Sequence, residues 1–155
     1  MKSYWLMKTE PTTYSIDHLS EEKTTQWEGV RNYQARNFMR DKMKIGDSVL
    51  FYHSNCKPPG IVGIAQVCKE SYPDYFAWDI DSKYYDPKST PDKPIWMMVD
   101  VAYVEKFKEI VSLEELKTVE GLEDMMVTRK GMRLSIQPVT KSQYDIIVRL
   151  SKKQS

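Results

Sequence analysis

Two apolar runs separated by a proline–glycine turn constrain this chain more than any other feature. Ser48-Val49-Leu50-Phe51-Tyr52 and Ile61-Val62-Gly63-Ile64-Ala65-Gln66-Val67 are rich in β-branched and aromatic residues, and Pro58-Pro59-Gly60 lies between them. The spacing predicts a β-hairpin and commits the chain to a sheet. Gly63 inside the second run predicts a bulge or a close approach of another backbone. Two further strands are predicted, one over Ser3 to Met7 ahead of the break at Glu10-Pro11 and one over Ile95 to Val104. Helices fill the gaps. Ser15 caps a short one through Leu19, and Arg31 to Met43 forms another that Asn32 can cap and Ile45-Gly46-Asp47 ends. Ser112 to Glu115 and Thr140 to Gln143 both read as capping boxes, the second opening a final helix with Tyr144, Ile147 and Val148 on one face. The sum is a mixed α+β fold in which strands predominate and short helices close the ends.

At 155 residues the chain is expected to be one domain spanning 1–155, large enough to bury a core without disulfides or metals. Cys56 and Cys68 have no metal-ligand or redox spacing and suit a reducing compartment, so the expected location is cytoplasmic. Met1-Lys2 leads directly into a strand with no signal-peptide pattern, and no apolar run approaches the ~20 residues that span a bilayer. The net charge of +1 argues against a general polyanion coat. The charge is patchy, however. Residues 31–44 carry Arg31, Arg36, Arg40, Lys42 and Lys44 against Asp41 alone, whereas residues 105–124 are acidic and the stretch from Arg129 is basic again. Either a basic and an acidic face or a scattered solvated surface is compatible with this pattern. The 10 Tyr, 4 Trp and 4 Phe belong either to the core or to a stacking surface. Residues 70–94 hold many of them in a long segment without periodicity, which argues for function rather than disorder.

Several blocks, in order and covering nearly the whole chain, resemble one known family. They are Trp5-Leu6-Met7-Lys8-Thr9-Glu10-Pro11; Trp27 to Arg36; Gly46-Asp47 with Phe51 to Asn55 and Gly60 to Ala65; Tyr84 to Ser89; Trp96 with Val99-Asp100-Val101; and Arg133 to Val139. Together they are similar to the EVE domain, a member of the PUA-like superfamily. Met132 departs from the pattern, standing where many members have a polar residue. The resemblance implies a PUA-like mixed β-barrel related to the YTH and ASCH domains. It further implies a nucleic-acid-binding module that holds a modified base of DNA or RNA in an aromatic-lined pocket. No catalytic mechanism is established for the family, and a non-enzymatic role without cofactor or metal is expected.

A base reader needs a π surface, a few placed donors and acceptors, and cations for the flanking phosphates. In Trp27 to Arg36, Trp27 can stack, Asn32 can donate and accept, and Tyr33, Arg31 and Arg36 supply a ring and charge. The bland alternative places Trp27 in the core and pairs Arg31 with a carboxylate. Tyr52, His53, Ser54 and Asn55 end a strand, where polar groups face a barrel mouth; His53 serves either a ligand or a structural hydrogen bond. Trp78 beside Asp79 offers an aromatic next to an acceptor, and Lys88 can reach phosphate. Leu134 and Ile136 are expected to be buried, which puts Arg133, Ser135 and Gln137 together on the opposite face. Each of these also has a plain structural use. A His53–Cys56 nucleophile pair lacks an orienting third group, His18 and His53 carry no metal motif, and neither a deaminase signature nor a phosphate loop is present. The alternative class is a small-molecule or protein-interaction domain using the same barrel mouth. Oligomeric state is not legible, and a partner enzyme is a further expectation.

Overall fold

The computed structural model describes residues 2–153. The ends of the expected 1–155 domain, Met1, Gln154 and Ser155, lie outside the described residues. The elements in chain order are β1 (Tyr4–Thr9), α1 (Ile16–Glu22), β2 (Thr24–Gln26), α2 (Tyr33–Asp41), β3 (Ser48–His53), β4 (Gly60–Pro73), β5 (Met97–Ser112), α3 (Leu113–Leu116), β6 (Ile136–Val139) and α4 (Lys141–Lys153). Single 3-10 turns occur at Tyr75–Trp78 and Met126–Thr128.

The strands form one sheet in the order β2-β5-β4-β3-β1-β6. β1 lies between β3, to which it is parallel, and β6, to which it is antiparallel. All other neighbours are antiparallel. Among the described residues no ladder joins β2 to β6, so the sheet has two free edges.

Both faces of this sheet are apolar, which explains why β1 and β3 read as continuous hydrophobic runs rather than alternating ones. Trp5, Met7, Val49 and Phe51 enter one core with Ile16 and Leu19 of α1 and Ala35 and Met39 of α2. Leu6, Leu50 and Tyr52 point the other way, into a second core with Leu116, Leu122, Met125 and Ile147. Side chains such as Leu6 and Leu50 are fully buried, each contributing about 1.5–3 kcal/mol on transfer from water.

The predicted hairpin is β3–β4, and the irregularity expected at Gly63 is present. Phe51 pairs with Gly63 and Tyr52 with Ile61, so Val62 is the extra residue of a bulge. The bulge lets Ile61 and Ile64 share the second core although they are three residues apart. A Cβ at Gly63 would overlap the carbonyl oxygen of Glu105 on β5.

Several bounds shift for tertiary reasons. β4 and β5 run on to Pro73 and Ser112 because they pair with each other along almost their whole length. Phe107 and Val111 anchor the charged half of β5 in the second core. The helix expected over Arg31–Met43 spans Tyr33–Asp41, with the Asn32 side chain accepting from the Ala35 N–H at 2.9 Å. α1 begins at a reciprocal cap in which His18, rather than an acid, returns the bond to Ser15. The Thr140–Gln143 box is reciprocal as read. Gln137 departs from the expected pattern. Strand geometry starts only at Ile136, and Gln137 is buried with its amide donating to the Leu134 carbonyl at 2.8 Å.

Two buried carboxylates tie the frame together. Asp47 accepts from the Ser3 N–H, the Trp5 indole N–H and the Lys44 N–H, each at 3.0 Å, and so fixes the entry to β3 against β1. Asp74, also fully buried, accepts from the N–H groups of Gly29 (2.9 Å) and Phe76 (3.1 Å) and from Arg31 Nη1 (3.0 Å). Together with the Trp96 indole bond to Asp86 at 2.7 Å, this orders the aperiodic 70–94 segment against the end of β2.

Candidate nucleic-acid interface

The edge strand β2 and the end of β1, with the residue just ahead of β6, border one cleft of about 680 Å³. Thr25 and Gln26 of β2 and the turn Trp27-Glu28-Gly29-Val30-Arg31 form one wall. Lys8, Thr9 and Glu10 at the end of β1, with Ser135 just ahead of β6, form the other. Thr13, Tyr14 and Glu22 line it from the α1 side, and Lys83 and Tyr84 form a lip. Each wall is braced by its own backbone bond, the second by the Lys8 N–H bond to the Ser135 carbonyl (2.8 Å) and the first by the Trp27 N–H bond to the Val99 carbonyl (2.8 Å).

Trp27 is both core and wall. Its ring meets Phe51 edge-on at 5.6 Å between centroids, only 8% of the residue is exposed, and it still borders the cleft. Its indole N–H has no hydrogen-bond partner among the described residues, whereas those of Trp5 and Trp96 both do. Gly29 has φ of +83°, and a Cβ there would overlap the Tyr84 ring, so the turn leaves that ring room to close the lip. Arg31 is consumed by structure: besides Asp74 it donates to the carbonyls of Val30 (3.1 Å) and Tyr84 (2.7 Å) and lies over the Tyr84 and Trp96 rings.

The titratable groups in the cleft are displaced by their surroundings. Burial pushes the Glu28 carboxyl above the usual carboxylate range, with the nearby Asp74 charge adding to the effect. Burial and then the hydrogen bond to Glu22 (2.6 Å) push the Tyr14 phenol up to about 12. Burial lowers the Lys8 ammonium, which donates to the Met132 carbonyl at 3.2 Å. The wall is therefore a mixed donor–acceptor surface around Trp27, Tyr14 and Tyr84.

Of the candidates read from sequence, Trp27, Arg31 and Ser135 come together in this cleft. Asn32 is exposed outside it and uses its oxygen as the α2 cap. Tyr33 is exposed and stacks on Trp96 at 4.9 Å, and Arg36 donates to Asn37 and to the Ile95 carbonyl. Tyr52 is buried in the second core with its phenol raised to about 12 by burial. His53 accepts from the Ile16 N–H at 3.2 Å through Nε2, the structural bond that was the alternative for it. Ser54 bonds through its N–H to Thr9, and Asn55 donates to Glu10 at 3.2 Å, so these two brace the turn behind the cleft wall. Trp78 is half-buried at the end of a 3-10 turn, Asp79 accepts from the Asp81 N–H, and Lys88 and Arg133 are exposed. Lys8, Tyr14, Glu22, Gln26, Glu28 and Lys83 are among the lining residues that were not singled out, whereas Tyr84 belongs to the aromatic 70–94 segment read as functional. Most lay inside or beside the quoted blocks, which was the available signal.

A family model described as the EVE domain matches residues 3–150. The chain belongs to the EVE-domain family. Thymocyte nuclear protein 1 of Homo sapiens is 42% identical to this EVE domain, over 99% of this chain and 76% of that protein. A hypothetical protein from Leishmania major has the same structure at a TM-score of 0.95 and 47% identity, covering 99% of this chain and 97% of that one. Human THYN1 protein, solved in complex with 5-methylcytosine-containing DNA, superimposes with a TM-score of 0.90 at 42% identity, covering 97% and 98% of the two chains.

Proposed function

We propose that this EVE domain binds DNA and holds one modified cytosine in the cleft between the sheet edges. The observation that carries the reading is the cleft itself. Its volume of about 680 Å³ falls within the roughly 300–1,000 Å³ of small-molecule sites, and it combines the rings of Trp27, Tyr14 and Tyr84 with polar groups. The 42% identity to a protein crystallised on 5-methylcytosine DNA supports the choice of ligand. Stacking on an aromatic wall is worth about 1–3 kcal/mol per base, and extruding a base costs a few kcal/mol, so one ring and a few hydrogen bonds can balance the opening. Lys83 on the lip, with Lys88 and Arg133 exposed, supplies phosphate contacts, Trp27 and Ser135 face the base, and the remainder of the sequence-derived set serves the frame. With β2 on one side of the cleft and the end of β1 and Ser135 on the other, the sheet acts as a curled, PUA-like barrel, and the chain works as a single binding domain rather than a catalyst. RNA, a cytoplasmic location and a partner enzyme remain part of the proposal at one remove, resting on the family resemblance and the cysteine usage alone.

The test is a set of short oligonucleotides identical except for cytosine or 5-methylcytosine at one position, followed by the fluorescence of Trp27 and its neighbours. Tighter binding of the methylated member, with a salt-dependent affinity, is expected. An equal response to both members, or saturation by free nucleoside with no gain from a polynucleotide, overturns the reading in favour of a small-molecule site.

A further inference from the structure

Reading a methyl group on DNA raises a chemical difficulty. Thymine carries the same 5-methyl as 5-methylcytosine, so an apolar contact to the methyl cannot tell them apart. The bases differ at position 4, where cytosine presents an amine donor and thymine a carbonyl acceptor, and at N3. A cleft that selects methylcytosine therefore needs an acceptor placed for the amine.

We propose that Glu28 is that acceptor, the residue that makes the cleft specific for a 4-amino pyrimidine. The inference rests on the reading of the cleft as a cytosine site. Three observations support it. Glu28 is a half-buried cleft residue whose backbone is held on both sides, by the Trp27 N–H bond to Val99 and the Gly29 N–H bond to Asp74. Its carboxylate receives no hydrogen bond from another side chain among the described residues. The other acids in the cleft are engaged, Glu10 by Asn55 and Glu22 by Tyr14. Finally, the adjacent Trp27 is 8% exposed, and its indole N–H has no protein partner among the described residues, which leaves a donor beside the cleft for a ligand or water to complete.

Both residues line the cleft, and on this proposal they offer it one acceptor and one donor. Cytosine offers the complement, its N4 amine to Glu28 and its N3 or O2 acceptor to the indole. Burial raises the Glu28 carboxyl, with its own backbone N–H and the Lys83 charge only partly offsetting the effect, and an amine hydrogen bond adds a further donor to the anion. Thymine in the same pose sets its O4 against the carboxylate. The methyl is read separately, by Val30 (7% exposed) and the neighbouring rings, so methyl and amine are two independent recognition elements.

The experiment uses the full chain and four fluorescent oligonucleotides that carry cytosine, 5-methylcytosine, uracil or thymine at one position. The set varies the 5-methyl and the 4-substituent independently. Wild type is expected to favour 5-methylcytosine over thymine by about tenfold or more, in the range one matched base-edge contact supplies. Glu28→Gln, which keeps the shape and can turn its amide toward O4, should bring that ratio below about threefold while the 5-methylcytosine-to-cytosine ratio stays unchanged. Glu28→Ala should also lose the 4-position preference, through weaker cytosine binding together with relief of the repulsion against thymine O4. A wild type that prefers methylated bases but ignores the 4-substituent overturns the inference, as does a Glu28→Gln variant that keeps full discrimination. A wild type with no methyl preference overturns the cytosine reading itself, so the two failures are distinguishable. The wild-type arm decides even if a variant does not fold.

Discussion

Replacing Asp74 by asparagine removes one charge and exchanges one acceptor for a donor at the joint between the β2 turn and the 74–96 segment. Oδ2 of Asp74 receives two bonds, from Gly29 and Arg31, and Oδ1 receives one, from Phe76. An asparagine does best with its oxygen toward Gly29 and Arg31, which leaves its NH₂ facing the Phe76 N–H. One buried N–H is then unsatisfied, at about 1–3 kcal/mol. The Arg31 guanidinium also loses its counter-charge, and breaking a buried pair costs about 3–5 kcal/mol. Arg31 keeps 24% side-chain exposure and two carbonyl partners, so its share falls at the low end. Asp74→Asn is therefore expected to destabilise the fold by about 4 kcal/mol or more. Urea unfolding followed by tryptophan fluorescence measures this directly, and DNA affinity should fall as well because Gly29 and Arg31 border the cleft. The cycle with Arg31→Met should be non-additive by about 1 kcal/mol or more, since the two residues share one network. A loss below about 1 kcal/mol for Asp74→Asn, or a cycle additive within about 0.5 kcal/mol, would refute the view that this carboxylate anchors the cleft wall.

Asn32→Ala removes the α2 cap and should lower stability by about 1 kcal/mol in urea titration while leaving DNA affinity unchanged, because Asn32 lies outside the cleft lining. His53 has a folded-state pKa below its ordinary 6.5 because burial penalises its charged form, with Lys106 opposing and Asp17 favouring the proton. The unfolded chain therefore binds the proton more readily, and stability should decline as the pH falls from about 6.5 toward the folded value. Urea midpoints measured from pH 7.5 down to 5.5 should show that decline in wild type and a shallower one in His53→Gln.

The hairpin was legible because its signal is local: β-branched runs and a Pro-Gly turn sit within a few residues of each other. The caps at Ser15, Asn32 and Thr140 were legible for the same reason. β2 was not, since Thr24-Thr25-Gln26 has no pattern of its own and becomes a strand by pairing with Asp100 to Ala102. The outer half of β5 looked like a charged surface run because only Phe107 and Val111 are anchored in it. The cleft was half legible. Trp27 and Arg31 stood out by residue type and Ser135 by its alternation with Leu134 and Ile136, but Lys8 and Glu28 join them only through the tertiary fold, and no local period encodes that. His53 and Tyr52 drew notice as polar groups at a strand end, yet the α1 backbone and the second core absorb them.

The place of β1, between a parallel neighbour from mid-chain and an antiparallel one from the far end, dictates an order of assembly. β1 can dock on β3 once roughly a third of the chain has left the ribosome, but Ile136 to Val139 must be synthesised before its other side is covered. Until then the backbone of β1 is an open template and the wall that carries Ser135 does not exist. The cleft is thus among the last parts of the molecule to be completed, and a chain lacking β6 and the residue ahead of it would be without that wall.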